Sequence, residues 1–435
     1  MVNSTTPKKV SGEIQVSRLG YPEKIKSIPT FARTIAQIAK QNVSELLEAI
    51  FIGAIDLGAS DVHIETEEKQ VKIRLRIDGV LQDLVEISHE DYRPLLSRLK
   101  LISGTKLNIS DRPQDGRFSI VDNQKGIEVR SSTLPAEYGE SIVLRVLNSE
   151  DLISLEQLGL RPDLLATFRK EIAKPNGMII VTGPTGSGKT TTLYAFLKEV
   201  QSSEIKIITI EDPIEYRLSG ISQTQVDPAK GYDFASGLRA IVRQDPDVIL
   251  VGEIRDLETA EIALQAALTG HLVFSTLHAN DAAGTVARLT DLGANTPSVA
   301  AAINSTIAQR LIRKVCPKCV ELKTITPDLL DKISRALANL PPSIEIPPLT
   351  KETRIPTAKG CENCSLTGYR GRIGIFEAFL IDEEMERFIL KNPATSDLRE
   401  RATGKGMVSM YQDGLIRILE GITTIEELER IVGQE

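Results

Sequence analysis

The residues best suited to chemistry stand together at Gly183, Pro184, Thr185, Gly186, Ser187, Gly188, Lys189 and Thr190, with Thr191 next. Glycines let the backbone turn so that successive N–H groups face one anion, Lys189 offers a cation, and the Thr190 hydroxyl can ligate Mg²⁺. The chemistry this allows is the binding of nucleotide phosphate. Context strengthens the pattern G-x-x-x-x-G-K-[ST]. Met178-Ile179-Ile180-Val181 before it reads as a buried parallel strand, and Leu193, Phe196, Leu197 and Val200 after it recur at helical spacing.

Hydrolysis would also need a carboxylate to hold metal or water, and cations for the charge that develops. Glu253 stands just past the apolar run 248–251, with Gly252 in the slot where aspartate is more usual. Glu211, Asp212 and Glu215 form a second acidic cluster, after the run 205–210. His278 follows a third run, 272–276, and could sense a terminal phosphate. His271 reads equally as a strand-end residue, and His63 and His89 as structural or surface groups. Cys316 and Cys319 form one C-x-x-C pair and Cys361 and Cys364 another, which suits a tetrahedral Zn²⁺ held by four thiolates. The long stretch between the pairs exceeds the usual zinc-ribbon spacing, but extra loop length costs little closure entropy.

Composition bounds the rest. The 435 residues, 41% of them hydrophobic, supply more than one core. A net charge of −7, no tryptophan and 4% aromatics disfavour a nucleic-acid surface. No apolar run approaches the roughly 18 to 20 residues that a membrane helix needs, and residues 1–27 lack a signal-peptide core, so a cytoplasmic chain is expected.

The elements that must position these residues fall into segments. Residues 1–40 are polar, show no strong period before Phe31 to Ile38, and read as a mostly flexible arm. Residues 41–148 read as an α+β domain: a helix over 46–57, alternation from Val71 to Ile77, an Asp78-Gly79 hairpin turn, and strands at 117–121, 127–131 and 141–147. Its Arg112, Arg117, Arg130 and Arg145 read, on pattern alone, as a solvated sheet face. Residues 149–158 read as a linker. Alternating strands and helices over 159–310 predict a largely parallel sheet with chemistry at the carboxyl ends of its strands. Residues 311–368 read as a zinc-binding insertion and 369–435 as a helical remainder.

GPTGSGKTTTLY, ITIEDPIEYRLSGISQTQV, RQDPDVILVGEIRDLETAEIALQAALTGHLVFSTLHAND, and CPKC with CENCSLTGYRGRIGIFE closely resemble the hexameric secretion ATPases. More narrowly they resemble those that drive type II secretion and type IV pilus assembly. The resemblance implies a RecA-like P-loop ATPase core behind a smaller PAS-like α+β domain, with ATP, Mg²⁺ and Zn²⁺ as cofactors. It implies that Glu253 is the catalytic carboxylate, holding Mg²⁺ with Thr190, that Glu211 and Glu215 support metal and water, and that His278 is the His-box residue. Arg117, Arg130 and Arg145 become candidates to contact phosphate, directly or across a subunit boundary. Implied partners are five further copies in a homohexamer and an inner-membrane platform protein through which pilin-like subunits are added, with no direct nucleic acid. A pilus-retraction or DNA-uptake motor is the alternative, and a nucleic-acid translocase a more distant one. Relatives that retract pili lack the four cysteines.

Overall fold

The computed structural model describes residues 12–16, 18, 25–38, 42–122, 125–147 and 153–433. Two compact units emerge. One comprises residues 1–149, 316–320 and 358–371; the other comprises 150–315, 321–357 and 372–435.

The N-terminal unit contains β1 (Glu13–Gln15), α1 (Ile28–Ile38), α2 (Val43–Leu57), β2 (Ala59–Thr66), β3 (Val71–Ile77), β4 (Val80–Ile87), α3 (His89–Ser103), β5 (Gln114–Asp122), β6 (Lys125–Ala136) and β7 (Gly139–Leu147). Its sheet runs β1-β5-β6-β7-β2-β3-β4, antiparallel except for the β1–β5 pair. Asn42 caps α2 by accepting from Ser44 N–H, and Gly58 ends it in the left-handed region. Asp78 and Gly79 both take positive φ, as the expected hairpin turn requires. Val71, Ile73 and Leu75 are buried under the helices while Lys72, Arg74 and Arg76 line the other face.

Parts of this unit correct the sequence reading. Half of the stretch expected as a flexible arm lies outside the described residues, but its described part holds β1 and α1, with Phe31 and Ile35 fully buried. The periodic stretch 31–38 at the end of that arm finds its partner in α2, where Phe31 packs over Gly53. Residues 149–152 of the expected linker also lie outside the described residues.

The second unit alternates as expected: α4 (Pro162–Ile172), β8 (Gly177–Thr182), α5 (Lys189–Val200), β9 (Ile207–Glu211), β10 (Ser222–Gln225), α6 (Phe234–Val242), β11 (Val248–Val251), α7 (Leu257–Leu268), β12 (Leu272–Leu277), α8 (Ala282–Asp291), α9 (Thr296–Ala302) and β13 (Ile303–Val315). Then come β14 (Val320–Thr324), α10 (Pro327–Leu337), β15 (Arg354–Ala358), β16 (Tyr369–Leu380), α11 (Glu383–Ile389), α12 (Thr395–Gly404), α13 (Met410–Leu419) and α14 (Ile425–Val432). The main sheet runs β10-β9-β11-β12-β8-β13-β16, and every pair from β10 to β13 is parallel. All residues of β8, β9, β11 and β12 are buried, so their carboxyl ends open from a rigid layer.

The expected insertion at 311–368 does not follow the packing. Its two cysteine-bearing ends belong to the N-terminal unit, while 321–357 belongs to the second. The expected helical remainder begins instead with the sheet strand β16.

Candidate phosphate site and cysteine centre

The phosphate loop leaves β8 between two parallel neighbours, β12 and β13. Gly183, Gly186 and Gly188 have φ of 149°, 79° and 89°, values that glycine adopts without strain. A side chain would also clash. A Cβ on Gly183 would lie 2.6 Å from Gln309 O, and one on Gly188 would lie 2.8 Å from Gln309 Nε2. Gly188 starts α5 with no side-chain cap, which leaves the first helical N–H groups available to an anion. Lys189 Nζ donates to Gly183 O at 2.8 Å and Pro184 O at 3.1 Å. Burial pushes its pKa down, Glu253 raises it, and Arg310 lowers it further. Ser187 Oγ is buried with no hydrogen-bond partner. A cradle crowded at Gly183 and Gly188, an uncapped helix start and an orphaned hydroxyl are what a bound phosphate group would complete.

Glu253 lies beyond β11, and its side chain is 17% exposed. It pairs with Arg255, and His278 Nε2 stands 3.9 Å from its Oε2. Gly252 sits at a close approach: its N–H donates to Ile210 O at 2.8 Å, and a Cβ there would lie 3.2 Å from Ile210 O and 3.3 Å from Glu211 Cα, which is tight. With glycine in the aspartate slot, Glu253 is the carboxylate at the end of β11. Thr182, the last residue of β8, holds the His278 segment in place. Its hydroxyl accepts from Ala279 N–H at 2.8 Å and lies 2.9 Å from Leu277 O.

Glu211 stands apart in character. Its carboxylate is buried and accepts hydrogen bonds from Tyr194 OH, from Thr209 Oγ1 at 2.6 Å and from Gln223 Nε2 at 3.2 Å. Burial raises its pKa. These neutral donors tie α5 to β9 through the carboxylate. Asp212 is more open and lies 3.9 Å from Arg255, and Glu215 is half-buried. His271 Nδ1 meets Ala266 O at the end of α7, and His89 Nε2 meets Glu67 O, both at 2.9 Å. His63 is half-buried on β2, where burial lowers its pKa.

In the N-terminal unit, register sets the three candidate arginines in one row. Arg117 faces Arg130, which faces Arg145, which faces Asp61, which faces Arg76. Arg145 Nε pairs with Asp61 at 3.1 Å, and Arg130 Nε with Glu128 at 3.8 Å.

Two residues that the sequence reading missed, Gln309 and Arg310, approach the phosphate loop from β13. Gln309 is buried and its Oε1 accepts from Thr192 Oγ1 at 2.7 Å. Arg310 Nη1 would be 3.2 Å from a Cβ on Gly183. Their one sequence signal is the position of 303–315 as a strand, whose basic residues Arg310, Arg313 and Lys314 look like a surface.

The four cysteines converge. Their sulfurs lie within 4.8 Å of one another, with Cys316 to Cys361 at 3.9 Å, Cys319 to Cys364 at 3.8 Å and Cys361 to Cys364 at 3.8 Å. A tetrahedron with metal–sulfur bonds of about 2.3 Å has edges of about 3.8 Å, so the donor set fits one Zn²⁺-sized ion. Cys361 N–H and Gly368 N–H both donate to Cys364 Sγ at 3.2 Å, the support that thiolate ligands require. Burial works against the Cys316 thiolate, but donors from Lys318 and Asn363 bring its pKa to about 7, while burial and its sulfur neighbours push Cys319 to about 12.

A parallel sheet in which the interior strand β8 ends in this loop, with a carboxylate beyond the end of β11 two strands away, defines a P-loop nucleotide-binding protein of the α/β class. The family model described as "Type II/IV secretion system protein" matches residues 36–430. The type II secretion system ATPase E of Vibrio cholerae is 45% identical over 392 residues, spanning 89% of this chain and 75% of that protein. The type IV pilus assembly ATPase PilB of Thermus thermophilus is 40% identical over 407 residues, 93% of this chain and 44% of its own length. Among solved structures, the pilus retraction motor PilT with bound ADP superposes with a TM-score of 0.58 at 28% identity, covering 88% of this chain and 95% of that one. The chain belongs to the type II/IV secretion system protein family, ATPases of secretion and pilus systems.

Proposed function

We propose that this chain is a Mg²⁺-dependent ATPase that works as a homohexamer in the cytoplasm, peripherally bound to the inner membrane through a platform protein, and powers the addition of pilin-like subunits in type IV pilus extension or type II secretion. The observation that carries the reading is the pairing, within one unit, of an orphaned Ser187 hydroxyl in a glycine cradle with Glu253 at the end of β11. Thr190 and Glu253 would hold Mg²⁺, which neutralises phosphate charge when bound. Gly183 to Thr191 bind the nucleotide, Glu253 accepts a proton from the attacking water, and His278, 3.9 Å from Glu253, orients that carboxylate. Glu211 keeps β9 and α5 in register through Tyr194.

Arg117, Arg130 and Arg145 are the proposed transition-state cations. What supports the reading is their register: they stand side by side on β5, β6 and β7, a spacing at which several cations can meet one phosphate group. The four cysteines support the assembly or secretion branch over retraction, and no helix among the described residues is long and apolar enough to cross a membrane, which supports attachment through partners.

Glu253→Gln tests the reading. It keeps the shape of the side chain and removes its basicity, so the variant is expected to retain ATP while turnover falls about 10²-fold. Single-turnover hydrolysis with separate nucleotide-binding measurements checks both parts. A wild-type rate in the variant would place the base elsewhere.

A further inference from the structure

Lys189 is not the sole cation at the phosphate loop. β13 runs parallel to β8 with Ala308 opposite Thr182, so Gln309 and Arg310 fall beside the first residues of the loop. The Arg310 guanidinium lies against Gly183 and donates to two backbone carbonyls, Gln309 O and Asn280 O, each at 3.0 Å. Among the described residues no carboxylate forms an ion pair with it. The carboxylates nearest in effect are Glu377 and Asp281, and both are engaged elsewhere. Glu377 accepts from Ala282 N–H, and Asp281 caps α8 and pairs with Arg399. Two cations therefore share a half-buried loop, and neither has an anionic partner of its own.

We infer that Arg310 is a phosphate contact supplied by the same chain, which reads the outermost phosphate and reports its presence to the segment carrying His278. The inference rests on the ATPase reading above and deepens it. Gly183 is the end of the loop farthest from the α5 N-terminus, so Arg310 is placed for the phosphate farthest from the helix. A guanidinium bond to a phosphate oxygen sets a charged donor against a charged acceptor and is stronger than its bond to a neutral carbonyl. Arg310 leaves Asn280 O when that phosphate is present and returns when only ADP remains. Asn280 lies between His278 and Asp281, which caps α8. Loss of its donor frees a short segment that Thr182 holds at one end and the helix cap at the other. The two positions of one arginine thus give the site a nucleotide-dependent state with no further element.

The test compares ATPγS and ADP binding in the full chain. Arg310→Gln is expected to weaken ATPγS by about tenfold to a hundredfold and ADP by no more than about threefold. Hydrogen exchange over 278–281 is expected to differ between the two nucleotides in the wild type and to become equal in the variant. If Arg310→Gln keeps the wild-type preference and the exchange difference, the inference is overturned. If it does not fold, Arg310→Lys, which retains charge but not the forked geometry, carries the test: a reduced ATPγS preference supports the contact and an unchanged one overturns it. Failure of the wild type to bind either nucleotide would instead overturn the ATPase reading, as would undiminished binding in Lys189→Ala.

Discussion

Lys189→Ala is expected to lower ATP turnover by about 10³-fold or more. Its Nζ contacts only the carbonyls of Gly183 and Pro184, and among the described residues it has no ion-pair partner. Burial already disfavours its charge and Arg310 adds repulsion, leaving Glu253 as the carboxylate that favours the protonated form. An ammonium kept in such a place costs stability in the empty protein. The cost is offset when phosphate arrives, and that is the step alanine removes. Because the folded state gains little from Lys189, the variant should unfold at the wild-type temperature or slightly above it. Phosphate-release kinetics and a thermal melt on the same preparation check both halves. Turnover near the wild-type rate would remove the loop from the mechanism, and a large fall in melting temperature would mean that the lysine braces the fold.

Parts of this site were legible in the chain because they are contiguous. Gly183 to Thr190 carry their spacing with them, and β8, β11 and β12 are parallel strands buried on both faces, which read as unbroken apolar runs. β11 has the extent the sequence predicts, residues 248–251. Other strands hid for opposite reasons. β2, ASDVHIET, alternates polar residues across a face that only its pairing with β3 and β7 makes intelligible. β10, SQTQ, is polar throughout because it lies at a sheet edge. Glu211 reads from the chain as one of an acidic cluster at a strand end, and its hydrogen bond from Tyr194 depends on α5, which no spacing encodes. Gln309 and Arg310 carry no motif at all; a neighbouring strand delivers them far along the sequence. Each C-x-x-C pair is local and was legible, but the association of both pairs with the N-terminal unit depends on contacts that no spacing encodes.

That association gives the second large effect. Cys316→Ser combined with Cys361→Ser is expected to take the protein from about one zinc per chain to none, and to unfold the segments 316–320 and 358–371. Apparent zinc-binding free energies at neutral pH are on the order of 10 kcal/mol, whereas each hydrogen bond that otherwise holds these segments contributes about 1 kcal/mol. Two of those bonds reach other parts of the same unit. Ile28 N–H, at the start of α1, donates to Ser365 Oγ at 3.0 Å, and Gly371 N–H donates to Asp78 Oδ2 at 2.7 Å, at the β3–β4 turn. Loss of the metal should therefore loosen α1 as well as the knuckles. Ser365 and Leu366 hold positive φ of 49° and 63°, a conformation that costs energy in residues other than glycine and that persists only while its surroundings impose it. Protons compete with metal for thiolates, so wild-type protein exposed to a chelator should release zinc faster as the pH falls, and proteolysis at Lys318, Lys359 and Arg370 should rise in step. Metal analysis and limited proteolysis before and after chelation measure this directly. A wild-type protein free of zinc yet resistant at all three sites would show that hydrogen bonds and packing suffice to hold the four sulfurs together.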